Sequence, residues 1–156
     1  AVYQDFHNDL YEELTTLYDK LKRYEALHVV FNDRFQFIPN ELLSGIHQFH
    51  GETQYPITIE RDFNVKNLRK GHCYMAISER DLAIILKEMH RRSWEPHEDI
   101  GLLSFDDTPL KEVLAGGITT ISTDFARMGE TAAQLITQGK TRRIANPWVL
   151  HDRGSL

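Results

Sequence analysis

Two hydrophobic periods alternate along this chain. Phe6, Leu10, Leu14, Leu17, Leu21 and Tyr24 recur at spacings of three and four, which predicts an amphipathic helix with Asp5 placed to cap it. Leu27-His-Val-Val-Phe31 is a short apolar run of the kind that forms a buried strand. Pro39 suits the start of a second helix, whose stripe is Leu42, Leu43, Ile46 and Phe49. Pro56-Ile-Thr-Ile59 is a second strand, and the polar stretch from Asp62 to Lys70, anchored by Val65 and Leu68, is a loop with a short helix. Cys73-Tyr-Met-Ala-Ile77 is a third strand, and Ser78 caps a helix that carries Leu82, Ile85, Leu86 and Met89. Pro96 ends that passage, Ile100 to Ser104 is a fourth strand, and Trp148-Val-Leu150 is a fifth. Gly116-Gly117 marks a turn before the β-branched segment ending at Ile121, and a last helix opens near Ser122 and stops at Gln138-Gly-Lys140. Ala1-Val2-Tyr3 is expected to run straight into the first helix.

Strands alternating with helices predict an α/β fold with a doubly wound parallel sheet of about five strands. In such sheets ligands sit at the carboxyl ends of the strands. Ile100-Gly-Leu-Leu-Ser-Phe-Asp-Asp-Thr-Pro109 is the most informative passage, because its apolar run ends in two adjacent carboxylates and a turn. Asp106 and Asp107 therefore fall where a small polar ligand would be held.

Composition narrows the function classes. A chain of 156 residues is one domain by length, and its 41% hydrophobic and 26% charged content is ordinary for a globular protein. A formal charge of −5 argues against this segment gripping DNA itself, since duplex binding relies on clustered Lys and Arg. No stretch approaches the roughly 20 apolar residues of a membrane span. The single cysteine, Cys73, has no partner for an internal disulfide, which fits a reducing compartment. The start carries neither an initiating Met nor a secretory-signal pattern, so a piece of a longer polypeptide is expected.

Most recognised chemistries are absent. His47 and His50 lie three apart on one helix, but no Glu-x-x-His or Cys-x-x-Cys supports a metal site. There is no glycine-rich phosphate loop and no Gly-x-Ser-x-Gly elbow, so neither a nucleotide cofactor nor a serine hydrolase is indicated. Cys73 has no basic helix start beside it to make it a nucleophile. The best case for an enzyme of flavodoxin-like fold is Asp106 paired with Glu79 or Asp5 as an acid couple for glycoside hydrolysis.

Three passages carry a family resemblance: Cys73-Tyr-Met-Ala-Ile-Ser-Glu-Arg-Asp-Leu-Ala83, Trp94-Glu-Pro-His-Glu-Asp-Ile-Gly-Leu-Leu-Ser-Phe-Asp-Asp107, and Val149-Leu-His-Asp-Arg-Gly-Ser155. In this order they resemble the C-terminal portion of the effector-binding domain of lactose-repressor-type (LacI/GalR) transcription regulators, a periplasmic-binding-protein-like type I fold. The opening Val2-Tyr-Gln-Asp5 resembles that family's crossover between two subdomains. The segment Ile38-Pro-Asn-Glu-Leu-Leu-Ser-Gly-Ile-His-Gln-Phe49 is similar to the subgroup with a GntR-type winged-helix head.

The resemblance implies that residues 1–156 are mainly one subdomain, and it leaves about 118–138 open to assignment to the other. It implies a small effector, usually a sugar, no cofactor, no catalysis and a cytoplasmic homodimer. DNA would be contacted only through an N-terminal domain outside this chain, and no membrane would be involved. A periplasmic sugar-binding protein of the same fold is the alternative. The implied effector-binding residues are Asp5, Glu79, Arg80 and Asp106, and the implied dimer contacts are Leu82, Ile85, Val113 and Leu114. Each has a plainer reading. Asp5 can be only a helix cap, Glu79 and Arg80 only a solvated first turn, Asp106 only a turn residue, and the apolar four only core. Asp107 reads as structural. Phe31, Phe35, Phe105 and Trp94 are the aromatic candidates for stacking on a sugar face. The chain departs from the family's pattern at Leu42, where many relatives carry Arg, and at Glu79-Arg80, where they carry Asn-Asp.

Overall fold

Six strands lie side by side, and five of them are parallel. The computed structural model describes residues 1–32 and 38–156. In spatial order the sheet holds β3 (Ile57–Glu60), β2 (Leu27–Val30), β4 (Cys73–Ala76), β5 (Gly101–Phe105), β6 (Thr119–Thr123) and β8 (Trp148–His151). The last strand is antiparallel to β6. The helices are α1 (Phe6–Thr16), α2 (Tyr18–Leu21), α3 (Glu41–Thr53), α4 (Glu79–Arg92), α5 (Pro109–Val113) and α6 (Phe125–Thr137). This is the doubly wound α/β architecture that the periodicity predicts.

Both faces of the sheet are covered, so its central strands need no polar alternation. Every residue of β4 and β5 is buried. On one face, Leu10, Leu14, Leu17 and Leu21 of α1 and α2 and Leu42, Ile46 and Phe49 of α3 pack on Leu27, Val29, Cys73, Met75 and Leu103. On the other, Leu82, Ile85 and Met89 of α4 pack on Val30, Tyr74, Ala76 and Leu102. The first helical stripe breaks at Leu17, and α2 continues it almost in line.

Three strands escaped the sequence reading: two of three residues each, and β6, which reads only as a β-branched segment with a helix opening at Ser122, whereas the strand runs to Thr123 and the helix starts at Phe125. Val2–Gln4 is not the start of a helix but a strand, β1, which pairs in parallel with β7 (Ile144–Asn146) as a separate two-stranded sheet. Three-residue strands are too short to show a period of two, and their pairing spans almost the whole chain. The stretch 118–138 is divided: β6 stands in the main sheet between β5 and β8, while α6 lies beside β1. No residue of α6 is buried, and Phe125 and Ile136 are 60% and 80% exposed. Phe35 lies outside the described residues.

Helix α3 approaches α1 unusually closely at Gly45. A Cβ there would stand 2.5 Å from the His7 carbonyl oxygen and 3.3 Å from the Tyr11 nitrogen, both fixed helix backbone. Ala favours a helix over Gly by about 1 kcal/mol. Forcing two packed helices apart costs about 1–3 kcal/mol and dominates here. Gly45→Ala is therefore expected to lower the urea midpoint without changing the far-ultraviolet circular dichroism of the folded state. An unchanged or higher midpoint would show that the α1–α3 contact can give.

Candidate functional site

The carboxyl ends of β4 and β5 open into a cavity of about 560 Å³. Its sheet side is formed by Ile77 and Glu79 after β4 and by Phe105, Asp106, Thr108 and Lys111 at and after β5. Its helix side is Phe6 at the start of α1 and Ile38, Pro39 and Leu42 leading into α3. Parallel strands bring these distant residues together because all of them end at the same edge. Behind the wall, Trp148 packs edge-on against Phe105 and Phe6, with ring centroids 4.9 and 6.1 Å away.

Asp106 occupies a left-handed turn (φ 55°) that lifts its carboxylate off the strand end. Asp tolerates this conformation better than most residues. Burial pushes its carboxyl above the usual range, against the opposing pull of the Thr123 backbone and of Lys111. Among the described residues, four buried side-chain polar atoms lack a partner, and two of them, Asp106 Oδ1 and Thr108 Oγ1, line this one cavity. An unpaired buried acceptor costs roughly 1–3 kcal/mol. A ligand hydroxyl at this place removes that penalty.

Lys111, which the sequence reading did not single out, is 2% exposed. Its ammonium donates to the carbonyls of Phe105 and Asp106 at 2.7 and 2.6 Å. Burial draws its pKa down, and the nearby Glu79, Asp106 and Asp107 carboxylates draw it back up. Nothing in Pro109-Leu-Lys-Glu112 signals this, because the helix period places Lys111 on no apolar stripe. Thr108 and the apolar wall were also missed. Pro39 was legible only as a helix start, and Leu42 as a core residue that departs from the family's pattern.

The other candidates divide. Glu79, the first residue of α4, lines the cavity with Asp106. Asp5 caps α1 by accepting from the Asn8 amide at 3.3 Å, and it lines an adjoining hollow of about 390 Å³ that shares Phe6 and Pro39 with the cavity. Arg80 is exposed on the first turn of α4, outside the cavity's lining. Phe31 is fully buried core. Trp94 stands in a separate hollow with Met89 and Pro96, between the guanidinium of Arg92 and the ammonium of Lys70. Among the described residues, no group of three or more His, Cys, Asp or Glu is placed to hold a metal. Cys73 is buried, which raises its thiol pKa and leaves it inert.

The expected dimer residues also divide. Leu82 and Ile85 are 2% and 0% exposed and belong to this chain's own core, because α4 turns that stripe onto the sheet. Val113 is 72% exposed, and Leu110 beside it 59%. Between α4 and α5 runs a groove of about 370 Å³ lined by Leu82, Ala83, Leu86, Leu110 and Leu114, with Glu79, Lys87 and Lys111 at its polar edges.

Asp107 behaves unlike its neighbour. Both its oxygens accept from Arg153, at 2.6 and 2.8 Å, and Thr120 donates to it at 2.8 Å. The guanidinium holds its carboxyl down at about 2. It ties the turn after β5 to the chain's last residues, where Ser155 bridges β5 and β6 by accepting from the Thr119 amide and donating to the Leu102 carbonyl.

A parallel sheet with a cavity at its carboxyl edge, polar on one wall and apolar on the other, has that cavity where open α/β sheets generally hold ligands. The family model described as the periplasmic binding protein-like domain matches residues 45–154, and the chain belongs to that family. Among solved structures it is similar to a transcription regulator from Lactobacillus plantarum (20% identity, TM-score 0.75, 99% of this chain and 67% of that one). It is similar also to a LacI family transcriptional regulator from Enterococcus faecium with bound ribose (15%, 0.72, 99% and 64%). A third is a periplasmic binding protein/LacI transcriptional regulator from Alkaliphilus metalliredigens QYMF complexed with D-xylulofuranose (17%, 0.69, 97% and 64%). Other solved chains that it matches are spanned over 60–63% of their length. No curated protein matches the sequence.

The Asp107–Arg153 clamp generates a pH-dependent expectation. A carboxyl held at about 2 when folded and near 3.8 otherwise stabilises the fold above pH 4, and loses that contribution as pH falls from about 4 to about 2. Arg153→Met is expected to lower stability by about 2 kcal/mol at pH 7. The gap to the parent should narrow toward pH 2 in urea unfolding. A gap that is constant with pH would assign the loss to packing instead of charge.

Proposed function

We propose that this domain is part of the effector-binding region of a lactose-repressor-type transcription regulator, and that it holds a small sugar or related metabolite in the Asp106 cavity. The observation that carries this is the pair of unpartnered buried oxygens, Asp106 Oδ1 and Thr108 Oγ1, in a cavity whose helix side is apolar. A sugar presents hydroxyl donors on its rim and C–H groups on its faces, and both kinds of surface meet a match here. Asp106 accepts from ring hydroxyls, Glu79 supplies a second acceptor, and Phe6 and Phe105 offer apolar contact. Solved relatives of the same fold hold ribose and D-xylulofuranose. In this reading β1, β7 and α6 belong to a second subdomain that supplies the facing wall. Asp5 and Arg80 act at the rim, where the two halves meet.

The regulator reading carries the finer assignments. DNA is contacted by a separate domain, consistent with the formal charge of −5 here. The protein works in the cytoplasm and is not a catalyst. It self-associates through Val113, Leu110 and Leu114, with the α4 stripe excluded because it is core. Among the described residues no helix is long and apolar enough to cross a membrane.

The test is a thermal-shift screen of pentoses, hexoses and their phosphate esters on the full-length protein, where a bound ligand raises stability by mass action. At least one sugar is expected to stabilise it. Asp106→Asn, which keeps the left-handed turn available, is expected to weaken that ligand about tenfold or more. The same change relieves the free protein of a buried charge, raising its midpoint by about 2–4 °C if the gain is about 1 kcal/mol. Failure of every sugar, or unchanged affinity in the Asn variant, would overturn the assignment.

A further inference from the structure

The ligand cavity and the outer groove between α4 and α5 have two residues in common, Glu79 and Lys111. Glu79 is exposed on the first turn of α4. Lys111 is buried, and its ammonium is held in place at one end of the shared wall. At its other end the Lys111 backbone is held as well: its amide donates to the Thr108 carbonyl at 2.9 Å, and its carbonyl accepts from the Ile118 amide at 2.8 Å. Thr108 makes no side-chain cap on α5, so this five-residue helix depends on Lys111 for its attachment to the end of β5. Leu110 and Leu114, which line the groove, flank Lys111 on the same short segment.

We propose that Lys111 is a positioning residue that couples the two sites, so that a change of charge or contact at Asp106 moves α5 and reshapes the groove wall at Leu110 and Leu114. The physical basis is the cost of a buried ammonium. Out of water, a lysine stays charged only while carbonyls and carboxylates around it replace its hydration. Around Lys111 these are the Phe105 and Asp106 carbonyls, with the Asp106, Asp107 and Glu79 carboxylates close by. Asp107 is committed to Arg153, with His151 3.8 Å away, and Glu79 is solvated. Asp106 is the variable member, since one of its oxygens has no partner until something fills the cavity. When a ligand draws on that oxygen, the support for Lys111 changes and the attachment of α5 shifts with it. Coupling of this kind is reciprocal: anything seated in the groove changes affinity at Asp106 by the same factor. The inference rests on the cavity being the effector site, but its test does not need the effector.

A proton serves as the probe. In the full-length protein with 13C-labelled carboxyl and leucine methyl groups, NMR follows Asp106 and the methyls of Leu110 and Leu114 as pH falls from 7 to 3. The methyl signals are expected to move with the midpoint of the Asp106 carboxyl. In Asp106→Asn that component should vanish. In Lys111→Met the Asp106 carboxyl should titrate at higher pH, having lost its cation, while the leucine methyls no longer follow it. If Lys111→Met does not fold, the Asn variant alone decides the matter. Methyl signals that ignore the Asp106 midpoint in the parent, or follow the same curve in Asp106→Asn, would overturn the coupling. A merely structural lysine would not tie the methyls to that midpoint. A negative sugar screen leaves this titration untouched, so the two readings fail separately.

Discussion

How the chain leaves β5 decides most of what this domain can do. At that point a left-handed residue, Asp106, is followed by an ion-paired one, Asp107, and then by a helix pinned through a buried ammonium. Each of the three depends on the others. The Lys111 ammonium satisfies the carbonyls of Phe105 and Asp106 at the end of β5. The Arg153 fork prevents Asp107 from competing for that ammonium. What remains is one carboxylate, that of Asp106, held over a cavity with an oxygen to spare.

Two adjacent aspartates thus take opposite chemical states. Burial raises the Asp106 carboxyl, and a bidentate guanidinium lowers the Asp107 carboxyl to about 2. The separation has a structural origin, since the left-handed turn at Asp106 breaks the strand and leaves the two side chains with different surroundings. Asp107 turns toward β6 and β8 and is absorbed into the fold, while Asp106 turns toward the cavity. The carboxylate that stabilises the protein is therefore distinct from the one left with an unpaired oxygen at the cavity.

The sheet and its main helices were legible because their periods are long and strong. The α1–α2 stripe from Leu10 to Leu21 and the apolar runs at Cys73–Ala76 and Gly101–Phe105 all lie where the sequence places them. Residues β1 and β7 contribute three positions each and pair across nearly the full chain, so no local pattern marks them. The antiparallel direction of β8 was equally invisible, because a short strand carries no sign of its orientation. At the site, Asp106 follows from the rule that parallel strands present their carboxyl ends to ligands, while Glu79 was reached only through the family resemblance. Lys111 does not follow, since its burial is created by two carbonyls that only the folded turn brings together. Leu82 and Ile85 were assigned outward from resemblance, although their helix period alone already points them to the core.

The cavity's polarity is arranged by wall. Acceptors come from the sheet side, at Glu79, Asp106 and Thr108, while α1 and the approach to α3 contribute Phe6, Ile38, Pro39 and Leu42. Leu42 matters in this respect, because a leucine brings neither charge nor hydrogen-bond donor to the cavity it shares with Glu79 and Asp106. Asp106 Oδ1 stays unpaired, an unsatisfied acceptor at the cavity's edge. Leu42 also lies one helical turn before Gly45, where α3 meets the backbone of α1 too closely to give way. The close α1–α3 contact thereby fixes where the apolar wall stands relative to the acidic one, so the cavity's two-sided character is set by the packing of the helices as much as by the strand ends.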